Sequence, residues 1–163
     1  MIVLGIDPGT ASTGYGVVAR RGGRLFALDG GVISTPAAQV LEKRLAAIHA
    51  RVADLLEEHR PDALALEELY FGANVKTAFA VGHARGAVML AAGERGVACR
   101  GYTPQQVKGA VCGSGRADKD QVQRMVAALL ALPEPPRPDH AADALAVAIC
   151  DLNHAPVAMA ITG

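Results

Sequence analysis

With 163 residues and 16.8 kDa the chain has room for one hydrophobic core, and its 51% hydrophobic and 20% charged residues exclude an intrinsically disordered protein. Sixteen basic residues balance sixteen acidic ones, which excludes attraction to nucleic acid through net charge and leaves only uneven placement as its source. Placement is uneven: residues 1–68 hold seven Lys/Arg and nine Asp/Glu, residues 69–133 hold eight and three, and residues 134–163 hold one and four.

Ile2–Ile6 is a short apolar run that ends in Asp7-Pro8-Gly9-Thr10, the pattern of a buried strand entering a turn. Tyr15–Arg20 and Arg24–Ser34 read as two further strands joined at Arg21-Gly22-Gly23 as a hairpin. Leu41, Leu45, Ile48, Val52 and Leu55 recur at helical spacing and predict a helix from about Ala38 to His59, stopped by Pro61. Ala63–Leu69 returns to strand, where alternation sends Glu67 and Glu68 to opposite faces, so one of these acids must turn inward.

Lys76–Glu94 predicts a second helix with little polar surface. Ala78, Gly82 and Gly86 line one side of it, and small residues permit close approach of another backbone. That neighbour is either the chain's own sheet or, because Phe79, Val81, Val88 and Leu90 spread apolar surface around the helix, a partner subunit. Val97–Tyr102 is a short strand. Thr103 as N-cap and Pro104 in the first turn open the next helix, which Gly113-Ser114-Gly115 closes. Asp118 and Gln121 form a capping box for a helix whose Val122, Met125, Val126 and Leu129 are predicted to face the core. A proline-rich connector leads to the last helix, roughly Asp139–Asn153, which buries Leu145, Ala148, Ile149 and Leu152. The sum is an α/β sheet of about five strands with helices on both faces: one domain over residues 1–155 and a short, frayed tail over 156–163.

Cys99, Cys112 and Cys150 have no CxxC spacing and no nearby Cys/His cluster, so they read as reduced, buried thiols rather than a disulfide framework or a zinc site. The first residues lack a secretion signal and no apolar run reaches membrane-spanning length, which predicts a soluble, cytoplasmic protein.

Candidate chemistry begins at Asp7. An acid at a strand end ordinarily serves the turn. This one follows an apolar run, and a buried charge without a partner is costly, so it calls for a cation or a proton nearby. One of Glu67 and Glu68 poses the same problem. In the last helix His140 and Asp143, three residues apart, share a face, as do Asp139 and Asp143. Asp139 follows Pro138 and is predicted to be the N-cap, its oxygens taken by backbone N–H groups, which leaves His140 free to reach a metal. Asp7, one of the glutamates, His140 and Asp143 then make an oxygen-and-nitrogen ligand set suited to Mg²⁺ or Mn²⁺. A cluster of this kind can hold two ions about 3.5–4 Å apart for phosphodiester hydrolysis.

Leu4-Gly5-Ile6-Asp7-Pro8-Gly9-Thr10, Thr13-Gly14-Tyr15-Gly16, Leu66-Glu67, Gly82-His83-Ala84-Arg85-Gly86, Pro104-Gln105-Gln106-Val107-Lys108, Lys119-Asp120-Gln121-Val122 and Ala141-Ala142-Asp143-Ala144-Leu145-Ala146 together resemble the RuvC family of bacterial Holliday junction resolvases. The match runs in order from Ile2 to about His154. The resemblance implies a ribonuclease H-like fold. It also implies a homodimer that makes paired, symmetric nicks in opposing strands of a four-way DNA junction, leaving 5′-phosphate ends, in cooperation with the RuvA–RuvB branch-migration complex. Its four metal-binding, catalytic positions fall on Asp7, Glu67, His140 and Asp143, choosing Glu67 over Glu68. The third of these is more usually Asp, so His140 is a departure that favours Mn²⁺ over Mg²⁺. Lys108 and Lys119 match basic positions near the active site and would hold the scissile phosphate. Weaker DNA contacts are Arg116, Lys76 and Arg85, and Tyr70 and Phe71 either pack in the core or stack on bases unpaired at the junction centre.

Two other readings stand beside this one. The Gly5–Thr10 turn also resembles the phosphate-binding hairpin of ATP-dependent kinases and actin-like ATPases, although those close two domains around nucleotide. A junction-binding protein without catalysis is the other, kept open by His140.

Overall fold

The computed structural model describes residues 1–68 and 74–155. Three strands open the fold: β1 (Ile2–Asp7), β2 (Ser12–Arg21) and β3 (Arg24–Ser34). They form an antiparallel meander, with Gly22 and Gly23 both at positive φ in the tight turn between β2 and β3, where side chains with a Cβ would be strained. Next come α1 (Leu41–His59), β4 (Ala63–Glu67), α2 (Val75–Glu94) and β5 (Ala98–Tyr102). β4 lies parallel to β1 and β5 parallel to β4, giving one mixed sheet in the order β3-β2-β1-β4-β5. The chain ends in α3 (Pro104–Cys112), α4 (Lys119–Leu129) and α5 (Asp139–His154).

Strand alternation sorts the core into two layers. Leu4, Ile6, Leu64 and Leu66 point to the face covered by α1 and α2, while Val3, Ala65 and Tyr102 point to the face covered by α3, α4 and α5. The five-stranded sheet with helices on both faces is the architecture predicted, as are Thr103 as N-cap, the capping box Asp118/Gln121 and the glycine that ends α3, Gly113 in the left-handed region; the second capping box, in which Gln106 reciprocates Thr103, goes beyond the expectation.

Several local expectations need correction. Asp139 is not the N-cap of α5: Pro138 occupies that position without a side-chain cap, and Asp139 is the first helical residue. Its carboxylate faces Lys119 at 3.6 Å instead. Met125 and Leu129 are each 37% exposed, because α4 buries a narrow stripe of Val122, Val126 and Ala127 and these two lie just outside it. α1 begins at Leu41, not Ala38, and β4 ends at Glu67, short of Glu68; of the three free cysteines only Cys150 is buried, Cys99 and Cys112 being half-buried near the ends of their elements. Leu69 and the tail 156–163 lie outside the described residues.

α5 crosses the sheet at unusually short range. A Cβ on Gly5 would collide with the Ala144 carbonyl oxygen, one on Gly14 with the His140 carbonyl, and one on Gly16 would sit 2.6 Å from Leu145 Cγ. Three glycines on β1 and β2 thus form a flat track on which an alanine-rich helix can lie. That close approach decides where the first turn of α5 ends up.

Candidate active site

β1 and β4 are parallel neighbours paired Ile6 with Leu66, so the next residues, Asp7 and Glu67, stand side by side at the carboxyl ends of their strands. The loop after Asp7 is fastened from within. The fully buried Thr13 hydroxyl donates to the Gly9 carbonyl (2.6 Å), and the Thr35 hydroxyl donates to the Thr10 carbonyl while accepting from Arg44 Nε (2.9 Å). Asp7 is therefore held on a rigid edge, only partly exposed.

The glycine track brings the first turn of α5 onto this edge. His140 Nδ1 lies 2.9 Å from Asp7 Oδ2, and one donor atom from each of Asp7, His140 and Asp143 falls within 4.8 Å of the others. Glu67 lies close enough for its carboxyl to be raised by them: burial pushes it up first, then the charges of Asp7 and Asp143, with Lys108 pulling it back. Asp143 is raised likewise, by burial and then Asp7, and is pulled back by Lys119 and His140. Carboxylates crowded until they repel one another, with an imidazole among them, fit a hard divalent cation, whose charge would relieve both the burial cost and the repulsion. The residues present thus suit the ligand set read from the sequence. Glu68, one residue beyond the end of β4, is exposed.

Two clefts flank the cluster. One, of about 300 Å³, is lined by Glu67, Asp143, Lys108 and Lys119 over a floor of Val107 and Val147. Lys119 Nζ stands 3.6 Å from both Asp139 and Asp143. The other cleft lies on the His140 side, between the loop Pro8–Ser12 and Lys76, Thr77 and Ala80 at the start of α2. Arg116 is exposed in the loop between α3 and α4, away from either lining. Arg85 is engaged with the protein itself: its Nη1 donates to the Glu67 carbonyl (2.6 Å), tying α2 to the end of β4. Tyr70 and Phe71 lie outside the described residues.

The family model for crossover junction endodeoxyribonuclease RuvC matches residues 3–151. This chain belongs to the RuvC family. It is 54% identical over 156 residues to the crossover junction endodeoxyribonuclease RuvC of Moorella thermoacetica, covering 96% of this chain and 93% of that one. It is 55% identical to the Thermomicrobium roseum RuvC over 150 residues, covering 92% and 91%. Among solved structures, Thermus thermophilus RuvC superposes with a TM-score of 0.87 at 44% identity over 94% of each chain, and the same protein in complex with Holliday junction substrate at 0.87 and 42%, again over 94% of each. The yeast mitochondrial Holliday junction resolvase, 12% identical with a TM-score of 0.66 over 93% of this chain and 78% of that one, shares the fold. RuvC membership over nearly the whole length sets the ATPase reading aside.

Sequence reasoning missed the residues that assemble the RuvC cluster without entering it. Gly5, Gly14 and Gly16 appeared only as letters of a motif, although three glycines at same-face strand positions are a legible sign of a backbone lying close overhead. Asp139 was assigned to a cap and instead meets Lys119. Among the described residues, no helix is long and apolar enough to cross a membrane.

Proposed function

We propose that this protein is a structure-selective endonuclease that resolves Holliday junctions by metal-dependent nicks in opposing DNA strands during homologous recombination and repair. The observation that carries the reading is the gathering of Asp7, His140 and Asp143 donor atoms within 4.8 Å, in a chain matched by the RuvC family model over residues 3–151. Asp7, Glu67, His140 and Asp143 would hold the divalent ions, two per site. Bound there, such ions supply Lewis-acid polarisation of a phosphate and an activated water.

The chain's own residues do the rest. Lys108 and Lys119, projecting into the cleft beside Glu67 and Asp143, hold the scissile phosphate and offset the charge that builds on it. Water attacks phosphorus in line, the bond to the 3′ oxygen breaks, and that oxygen leaves with a proton, giving 5′-phosphate and 3′-hydroxyl ends. Without a metal bound to it, His140, hydrogen-bonded to Asp7 through Nδ1, is placed instead to hold or pass a proton. Its imidazole also favours Mn²⁺ over Mg²⁺. Lys76, on the opposite cleft, and Arg116 bind the flanking backbone. Arg85 positions Glu67 and lies near that backbone.

A homodimer with two such sites matches the near-two-fold symmetry of a junction. The outer face of α2 supports it. Phe79 is 66% and Leu90 57% exposed, and among the described residues a Cβ at Gly82 or Gly86 would meet nothing within 4 Å, so the small-residue stripe does not pack against the sheet. Residues 1–155 form the nuclease unit and 156–163 its tail, acting in the cytoplasm with RuvA–RuvB.

The deciding experiment incubates a synthetic four-way junction and the matched linear duplex with Mg²⁺ or Mn²⁺ and maps the cuts. Symmetric paired nicks confined to the junction are expected. Binding without cutting in either metal would favour the non-catalytic reading.

A further inference from the structure

At the far end of α5, remote from the carboxylate cluster, Asp151 is the one charged side chain found fully buried among the described residues. It accepts a hydrogen bond from the Tyr102 hydroxyl (2.7 Å) and pairs with Arg100 Nη1 (3.1 Å and 3.3 Å), both on β5. The placement is expensive twice over: a charge is removed from water, and an anion sits in the last turn of a helix, where the macrodipole already presents its negative end. Burial and the Asp151 carboxylate hold the Tyr102 hydroxyl firmly protonated, so it is a permanent donor.

What the pair gains is position. Over the glycine track α5 lays Ala144 and Ala148 with Leu145 seated above Gly16, and Val147, Ile149 and Leu152 are buried along its length; the polar contacts at its far end act in addition to this apolar packing. Slippage by one residue would move the helix about 1.5 Å and rotate it about 100°, carrying His140 and Asp143 off Asp7. Polar latches at the other end also oppose this. Arg20 holds the helix from the β2 side, donating to the Leu152 carbonyl (2.9 Å), and Asp151 holds it from the β5 side. The β5 latch reaches further than α5. Tyr102 is paired with Glu67 across the sheet, its carbonyl accepts from the Glu68 amide (2.7 Å), and the next residue, Thr103, caps the helix that carries Lys108.

We infer that the Tyr102–Asp151 hydrogen bond positions the metal-binding side chains, fixing α5 relative to Glu67 and Lys108 so that four ligands on three elements converge. Tyr102 and Asp151 are positioning residues outside the ligand set, Asp151 lying about 12 Å along α5 from Asp143 and Tyr102 on the strand beside Glu67. The inference rests on the reading of Asp7, Glu67, His140 and Asp143 as the metal centre.

The test compares wild type with Tyr102→Phe, Asp151→Ala and Asp151→Asn, using calorimetric titration of Mn²⁺ in the absence of DNA together with junction-cutting kinetics. Tyr102→Phe keeps the ring but loses the donor; Asp151→Asn keeps an oxygen that can accept from Tyr102. Tyr102→Phe and Asp151→Ala are expected to weaken Mn²⁺ binding and lower kcat by about tenfold or more, with KM for the junction unchanged. Asp151→Asn should recover most of both. A Tyr102→Phe protein with wild-type Mn²⁺ affinity and kcat would overturn the inference, as would an Asp151→Asn protein no better than Asp151→Ala. Should Asp151→Ala fail to fold, Tyr102→Phe and Asp151→Asn still decide. Wild-type protein that shows no Mn²⁺ binding sensitive to Asp7→Asn would overturn the reading of the metal centre itself, which separates the two failures.

Discussion

Asp7 touches His140 and shares the cluster with Asp143, and its neighbour in register is Glu67, so its loss should disable the site without disturbing the DNA-binding surface. Asp7→Asn is expected to bind a four-way junction like wild type in a gel-shift titration and to cut it more than about 100-fold more slowly, a loss beyond that usual for residues merely supporting a ligand. Glu67 gives a sharper physical signature. Its carboxyl is raised by burial and by Asp7 and Asp143, so the folded protein binds this proton more tightly than the unfolded chain does. The ionised form therefore costs stability above the raised value, and the cost fades as pH falls below the ordinary carboxylate range. Glu67→Gln should raise the melting temperature of the metal-free protein near neutral pH, the gap to wild type closing as pH is lowered towards about 4. Adding Mn²⁺ should reverse the order, since only wild type keeps the full ligand set. His140 separates metal choice from metal binding: His140→Asp is expected to lower the ratio of Mn²⁺- to Mg²⁺-supported cutting rates.

At the scale of elements, the site is made by the approach of α5 to the sheet. Gly5→Ala would place a methyl group against the Ala144 carbonyl, where backbone rather than a flexible side chain must give way. Overpacking of this kind costs about 3 kcal/mol. Denaturant unfolding should show that loss, and cutting should fall further than stability because the helix is lifted from Asp7. The helices themselves were legible from caps and periodicity: Thr103 caps α3 and Asp118 with Gln121 closes a reciprocal capping box where the sequence places them, while the return bond from Gln106 to Thr103 is seen only in the structure. Asp139 was misread because proline before an acid looks like the start of a cap. The chain enters the helix one residue earlier, which frees the carboxylate for Lys119. Met125 and Leu129 were misread because periodicity marks an apolar stripe but not its width.

For the whole molecule, the open face of α2 is the feature that a lone chain leaves unexplained. Val75, Phe79, Met89 and Leu90 are all exposed, beside glycines that have no neighbour above them among the described residues. A Phe79→Ser/Leu90→Ser double substitution is expected to shift sedimentation from dimer to monomer while leaving the thermal unfolding of each chain nearly unchanged, since both side chains face outward. Junction cutting by that variant should lose its pairing, giving single nicks in place of simultaneous opposed ones.

The order of strands and helices, the caps, the turn at Gly22-Gly23 and the residue types of the ligand set follow from local pattern, because alternation, helical spacing and capping act over a few residues. Motif spelling narrowed the glutamate to Glu67, while the exposure of Glu68 follows from β4 ending one residue before it. What only the folded chain decides is convergence. His140 and Asp7 are 133 residues apart in sequence and 2.9 Å apart in space, brought together by a parallel strand pairing, a glycine track and buried latches. Those are contacts between distant segments, whose energies depend on packing and burial that no single stretch of sequence contains.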